Sequence, residues 1–201
     1  MNKKMNSKLF WDNNYSNHKI FGNGYSPWST FRRFNEISRH IDNSSRVADL
    51  FAGAGTLEIM HGPYKYYLAC DWSETGLSYA RADKKIIYDA TIKYDRDDVL
   101  KECKNDNIDW IVLCGVFMIG ELVEKINVFE FIRECYNTSN KGVIVNFGSD
   151  ENVYLKPHGR IYKPIKVMKE LADLKPSIIQ NYLPHEYLAV LEKPKRDWNK
   201  K

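Results

Sequence analysis

The chain of 201 residues lacks an uninterrupted apolar stretch long enough to cross a bilayer, and its first eight residues are polar, without the apolar core of a signal peptide. A cytoplasmic protein with no membrane partner is expected. It also lacks any C-x-x-C pair. Cys70, Cys103, Cys114 and Cys135 stand singly inside patterns that read as strands or helices, so buried thiols are expected rather than disulfides or zinc ligands. No internal repeat, low-complexity linker or shift in composition marks a second domain, so residues 1–201 read as one.

Missing as well is a clustered basic face. The net charge is +4, yet residues 1–46 hold eight Lys/Arg against three Asp/Glu and residues 193–201 hold five against one. That leaves 17 basic and 22 acidic residues between 47 and 192, a central body of net charge −5. Phosphate backbones need concentrated positive charge, so this body argues against nucleic acid as a partner. The basic ends read as solvated termini that favour solubility.

What is present is an alternation. From Arg46 onward, short apolar runs at 46–51, 65–71, 85–89, 109–114 and 142–147 are separated by segments of helical period at about 56–61, 74–82, 96–105, 120–137 and 163–173. Such alternation builds a parallel sheet covered by helices on both faces. The last two runs, Ser177–Leu183 and Glu186–Glu192, are joined only by Pro184-His185, too short for a crossover helix, so they must be antiparallel neighbours. The expected fold is α/β: a Rossmann-like three-layer sandwich with a mostly parallel seven-stranded sheet ending in an antiparallel hairpin. Residues 1–45 differ in kind. They are rich in aromatics, Asn and Gly, with one helix expected at 30–40, and read as a cap over one end of the 46–193 core.

The most informative segment is Asp49-Leu50-Phe51-Ala52-Gly53-Ala54-Gly55-Thr56, where the first strand gives way to the first core helix. Glycines there let the backbone turn sharply and approach a ligand closely while the N–H groups of the new helix point outward. Twenty-two residues after Asp49, Asp71 ends the second strand, where a carboxylate can accept from both hydroxyls of a ribose. Dinucleotide sites prefer a third glycine in G-x-G-x-x-G; here that position is Glu58, whose carboxylate disfavours a pyrophosphate but not a cationic ligand.

With these residues the chain resembles the class I S-adenosylmethionine (SAM)-dependent methyltransferases over about residues 46 to 193. The family's D-x-x-x-G-x-G motif matches Asp49, Gly53 and Gly55, and its acidic residue after the second strand matches Asp71, followed by Trp72 as the bulky residue against the adenine. Asp89-Ala90 matches the acidic-plus-small pair near the adenine amine, and 109–116 (DWIVLCGV) the strand and small-residue turn of the fourth motif. One departure is Ala52, where the residue before the first motif glycine is often Cys; it is equally small.

The resemblance implies SAM as cofactor, S-adenosylhomocysteine (SAH) as product, and methyl transfer to an O or N atom of a small-molecule acceptor, with no metal. Asp49 and the backbone of Phe51, Ala52, Gly53 and Gly55 are expected around the methionine part, Asp71 on the ribose, Trp72, Asp89 and Ala90 around the adenine, and Cys114, Gly115 and Val116 beneath the methyl. Trp11, Tyr15, Tyr25 and Trp28 of the cap, with Phe117 and Met118 after the fourth strand, are the candidate acceptor contacts; packing of the cap is the plainer reading of each aromatic. His158, His185 and Tyr25 are the candidate general bases, although a lone histidine in a turn is more often structural. RNA or protein methylation stays open as an alternative, without the N-P-P-Y, D-P-P-Y or Pro-Cys signatures of base-amine and cytosine C5 enzymes. So does SAM binding without transfer.

Overall fold

The computed structural model describes residues 7–18, 26–117, 120–149 and 161–194. Seven strands form one sheet: β1 (Arg46–Asp49), β2 (Tyr66–Asp71), β3 (Lys84–Ile87), β4 (Trp110–Leu113), β5 (Gly142–Gly148), β6 (Ser177–Leu183) and β7 (Glu186–Glu192). Their order is β3-β2-β1-β4-β5-β7-β6. The first five are parallel, and β7 inserts antiparallel between β5 and β6, as the two-residue connection requires. The expected α/β sandwich is therefore the observed one.

The helices flanking the sheet are α3 (Thr56–His61), α4 (Glu74–Tyr79), α5 (Lys93–Asn105), α6 (Gly120–Lys125), α7 (Val128–Thr138) and α8 (Pro164–Glu170), with a short 3-10 turn at Ala172–Leu174. Two apolar clusters fill the layers. On one face Leu68, Ile111, Val143 and Val145 meet Phe131 and Ile132 of α7; on the other Val47, Tyr67, Val112, Ile144 and Leu188 meet Leu57 and Leu77. Strands β4 and β5 are buried at every position, which is why they read as continuous apolar runs. All four cysteines are free and buried.

Two elements depart from the sequence expectation. The helix expected at 120–137 is two helices: Asn127 breaks the run in an extended conformation, and its side-chain oxygen accepts the Glu130 N–H at 3.3 Å. The cap holds two helices rather than one, α1 (Ser7–His18) and α2 (Pro27–Ser38). α1 carries no amphipathic stripe to announce it. α2 starts earlier than 30 because Ser26 caps it, accepting the Ser29 N–H at 3.2 Å, and Pro27 has its ring preset for the first turn. Among the described residues no helix is long and apolar enough to cross a membrane.

Candidate functional site

The strand order reverses between β1 and β4, so the crevice beyond their carboxyl ends is where an open sheet of this kind presents a site. Two glycines shape its floor. Gly53 and Gly55 have φ of 51° and 68°, left-handed values that suit glycine. At Gly53 the close approach is by a side chain: a Cβ there would lie 1.9 Å from the Tyr15 hydroxyl oxygen. At Gly76, near the start of α4, a Cβ would likewise lie 2.9 Å from the same ring. Helix α1 is thus laid across the glycine turn, with Tyr15 seated on two residues that have no side chain. The Ser73 hydroxyl, donating to Asp12 Oδ1 at 2.6 Å, fixes the helix there.

Beneath Tyr15 lie two buried carboxylates. Asp71 accepts from the Gly53 N–H through Oδ2 and the Ser73 N–H through Oδ1, both at 2.8 Å, so it ties the glycine turn to the start of α4. Asp49 accepts the Tyr67 hydroxyl at 3.0 Å and, more weakly, the Phe51 N–H at 3.4 Å. Among the described residues neither pairs with a lysine or arginine. Burial dominates both: Asp49 is pushed up to about 7, and Asp71 to about 6 even though backbone N–H groups pull it down. The Tyr15 phenol is raised by the same burial and by the negative charge of Asp71 and Asp49.

This arrangement has a sign that can be measured. A carboxyl whose proton is held more tightly in the folded state loses stability as pH rises from its ordinary value near ~4 to its folded value. The ligand-free protein is expected to lose a contribution to stability between about pH 4 and 7, the upper end set by the raised Asp49. Denaturant midpoints measured across that range should fall less steeply for Asp49→Asn than for wild type. Equal slopes would show that Asp49 titrates normally.

The remaining cofactor candidates follow the carboxyl ends of β1 to β4. Phe51 is half-buried, its ring 5.8 Å from Tyr88, whose hydroxyl props the Leu50 carbonyl at 2.6 Å. Ala52 and Ala90 are buried and Trp72 is half-buried after Asp71. Asp89 follows β3 with Oδ1 accepting the Thr91 N–H at 2.8 Å, leaving its second oxygen for other partners. Cys114 and Val116 are buried after β4, while Gly115, at φ 74°, has nothing within 4 Å of where a Cβ would stand. A side chain at 115 would project into open space.

The acceptor candidates divide. Trp11 lies beside Tyr15 with ring centroids 6.1 Å apart, and Tyr15 is the ring seated on the glycine turn. Trp28 is 62% exposed, under the Arg32 guanidinium at 5.7 Å, and Phe117 is wholly buried against Phe147. His185 sits in the β6–β7 turn, at the carboxyl end of β5, where its carbonyl accepts the Ser149 N–H at 2.9 Å. Tyr25, Met118 and His158 lie outside the described residues.

Sequence reasoning missed Asp12 and Gly76, which hold α1, and a buried polar group at the other side of the crevice: Arg33, Asn146, Tyr182 and Glu186. A signal for the last existed. Asn146 and Glu186 are polar residues inside strands that are otherwise buried and apolar.

No family model matches the sequence, and no curated protein matches it. Solved structures do match its shape. Magnesium protoporphyrin IX methyltransferase from Synechocystis, with bound SAH, is 12% identical with a TM-score of 0.65 over 94% of this chain and 98% of that one. A SAM-dependent methyltransferase from Anabaena variabilis is 13% identical, with a TM-score of 0.61 over 96% and 98% of the two chains. One from Archaeoglobus fulgidus is 15% identical, with a TM-score of 0.59 over 81% and 92%. At these identities the likeness is one of architecture, and the chain has the Rossmann-like fold of SAM-dependent methyltransferases, closing antiparallel hairpin included.

Proposed function

We propose that the protein is a SAM-dependent methyltransferase acting on an O or N atom of a small-molecule acceptor. The observation that carries this reading is the pair of buried carboxylates, Asp49 and Asp71, gathered beside the Gly53 turn with no lysine or arginine partner among the described residues. A pyrophosphate would be repelled there, whereas a ligand with an ammonium and a sulfonium supplies the missing positive charge. The glycine turn offers close backbone approach, as such a ligand needs.

The residues present fit that ligand. Asp71 stands at the end of β2 for the ribose, with Trp72, Asp89 and Ala90 toward β3 for the adenine. On this reading the methionine end lies toward β1 and β4, neighbours in the sheet, over Asp49 and the Cys114–Val116 turn. SAM would supply a methyl group already activated by its sulfonium, so alignment and exclusion of water are what the chain contributes. Tyr15 and Trp11 on α1 close the crevice, and α1 must lift from Gly53 and Gly76 for a ligand to enter. His185 is the candidate base at the acceptor side, beside the end of β5.

The acidic central body and the covered crevice support a small acceptor. So do the names of structurally similar proteins, one a magnesium protoporphyrin IX methyltransferase and one a possible histamine N-methyltransferase from Thermotoga maritima. Calorimetric titration tests the reading: SAM and SAH are expected to bind and NAD is not. Tight NAD binding with none for SAM would overturn it.

A further inference from the structure

Behind the turn that follows β4 lies a chain of buried polar side chains. Arg33 of α2 grips Glu186 of β7 with both ends of its guanidinium fork, Nε to Oε2 at 2.7 Å and Nη2 to Oε1, and both residues are 2% exposed. Asn146 of β5, fully buried, donates its amide Nδ2 to Glu186 Oε2 at 3.0 Å and to the Tyr182 hydroxyl at 2.9 Å. Its Oδ1 accepts the Gly115 N–H at 3.2 Å.

The direction of this chain is set by chemistry. A carboxylate only accepts, so Glu186 must face the amide NH2 of Asn146, and the amide oxygen is thereby turned toward Gly115. Arg33 in turn fixes the carboxylate. An ion pair this buried contributes little to stability compared with apolar side chains of the same size, so stability does not account for it. What it does do is aim one acceptor at one backbone N–H.

That N–H belongs to a peptide with two sides. In a parallel sheet, successive residues address opposite neighbours. Val112 O accepts the Leu50 N–H of the chain leaving β1, so the next oxygen facing that way is Cys114 O. The donor that would meet it, the Ala52 N–H, goes instead to Cys70 O at 3.0 Å. Because the peptide is planar and trans, holding the Gly115 N–H toward β5 holds the Cys114 carbonyl toward β1, over the crevice. Gly115 itself is left-handed, with open space where a side chain would be, and among the described residues Asn146 is the side chain that hydrogen-bonds its N–H.

We propose that Asn146, oriented by Glu186 and Arg33, is a positioning residue: it locks the Cys114–Gly115 peptide so that the Cys114 carbonyl is presented to the amino group at the methionine end of the cofactor. This rests on the SAM reading above. It also ties α2 of the cap to the floor of the site through Arg33.

The test compares two ligands by calorimetry. SAH carries the amino acid; 5′-methylthioadenosine has the same adenosine and thioether without it. In Asn146→Leu the dissociation constant for SAH should rise about tenfold or more, as for a lost hydrogen bond to a charged group, while that for methylthioadenosine stays within about twofold. The double variant Arg33→Met/Glu186→Leu replaces the buried pair with apolar side chains of similar size, so it guards against a folding defect in the first variant; the same selective loss is expected. Equal weakening of both ligands, or none for either, would overturn the proposal while leaving the SAM reading standing. Wild-type protein that binds neither ligand would overturn both.

Discussion

On the cofactor reading proposed above, replacing Asp71 with alanine is expected to weaken SAM binding by about 2–4 kcal/mol, roughly 30-fold to several hundred-fold in affinity, because two charge-assisted hydrogen bonds to the ribose would be lost. The structure adds a second part to the effect. Each oxygen of Asp71 already accepts a backbone N–H, from Gly53 and from Ser73, and a carboxylate oxygen has room for a further donor. The substitution therefore also releases the glycine turn from the start of α4. Asp71→Asn separates the parts: it keeps one acceptor and loses the charge, so it should retain more of the thermal stability than Asp71→Ala while still losing affinity. Calorimetry paired with thermal melts of both variants reads this directly. Unchanged SAM affinity in Asp71→Ala would mean that the ribose lies elsewhere.

The largest expected effect on stability lies at the opposite end of the sheet. Gly142 opens β5 at φ 157°, and a Cβ there would stand 2.2 Å from the backbone oxygen of Leu191 in β7 and 2.8 Å from the Trp110 ring. Neither neighbour is the free end of a flexible chain. Gly142→Ala must push β5 and β7 apart where they pair, at a cost of about 3–5 kcal/mol from overpacking and backbone strain together. For a chain of this length that corresponds to a fall in Tm on the order of 10 °C. A melt within about 2 °C of wild type would show that the two strands accommodate the methyl group, contrary to the packing argument.

Both expectations concern parts of the molecule that differ in how plainly the sequence announced them. The strands were legible because parallel strands are buried on both faces, and uniform apolar runs such as 110–113 and 142–147 have few other readings. The hairpin followed from the length of a connection, which is a matter of reach rather than preference. The glycine turn and Asp71 were legible because backbone conformation and charge are properties of single residues. Helix α1 was not: its contacts with the core include one ring on two glycines and one hydroxyl on Asp12, and neither leaves a periodic trace. The polar chain behind Gly115 was missed for a related reason. Arg33, Asn146 and Glu186 are far apart in sequence, and only the fold brings them together.

The seat of Tyr15 on Gly53 and Gly76 bears on timing. On the cofactor reading, nothing can exchange at the glycine turn until the Tyr15 ring leaves its seat, so departure of the spent molecule is paced by that movement and not by the depth of the crevice. Lightening the latch, by removing the aromatic ring or the serine that steadies the helix, would then shorten residence in both directions and trade tightness for speed.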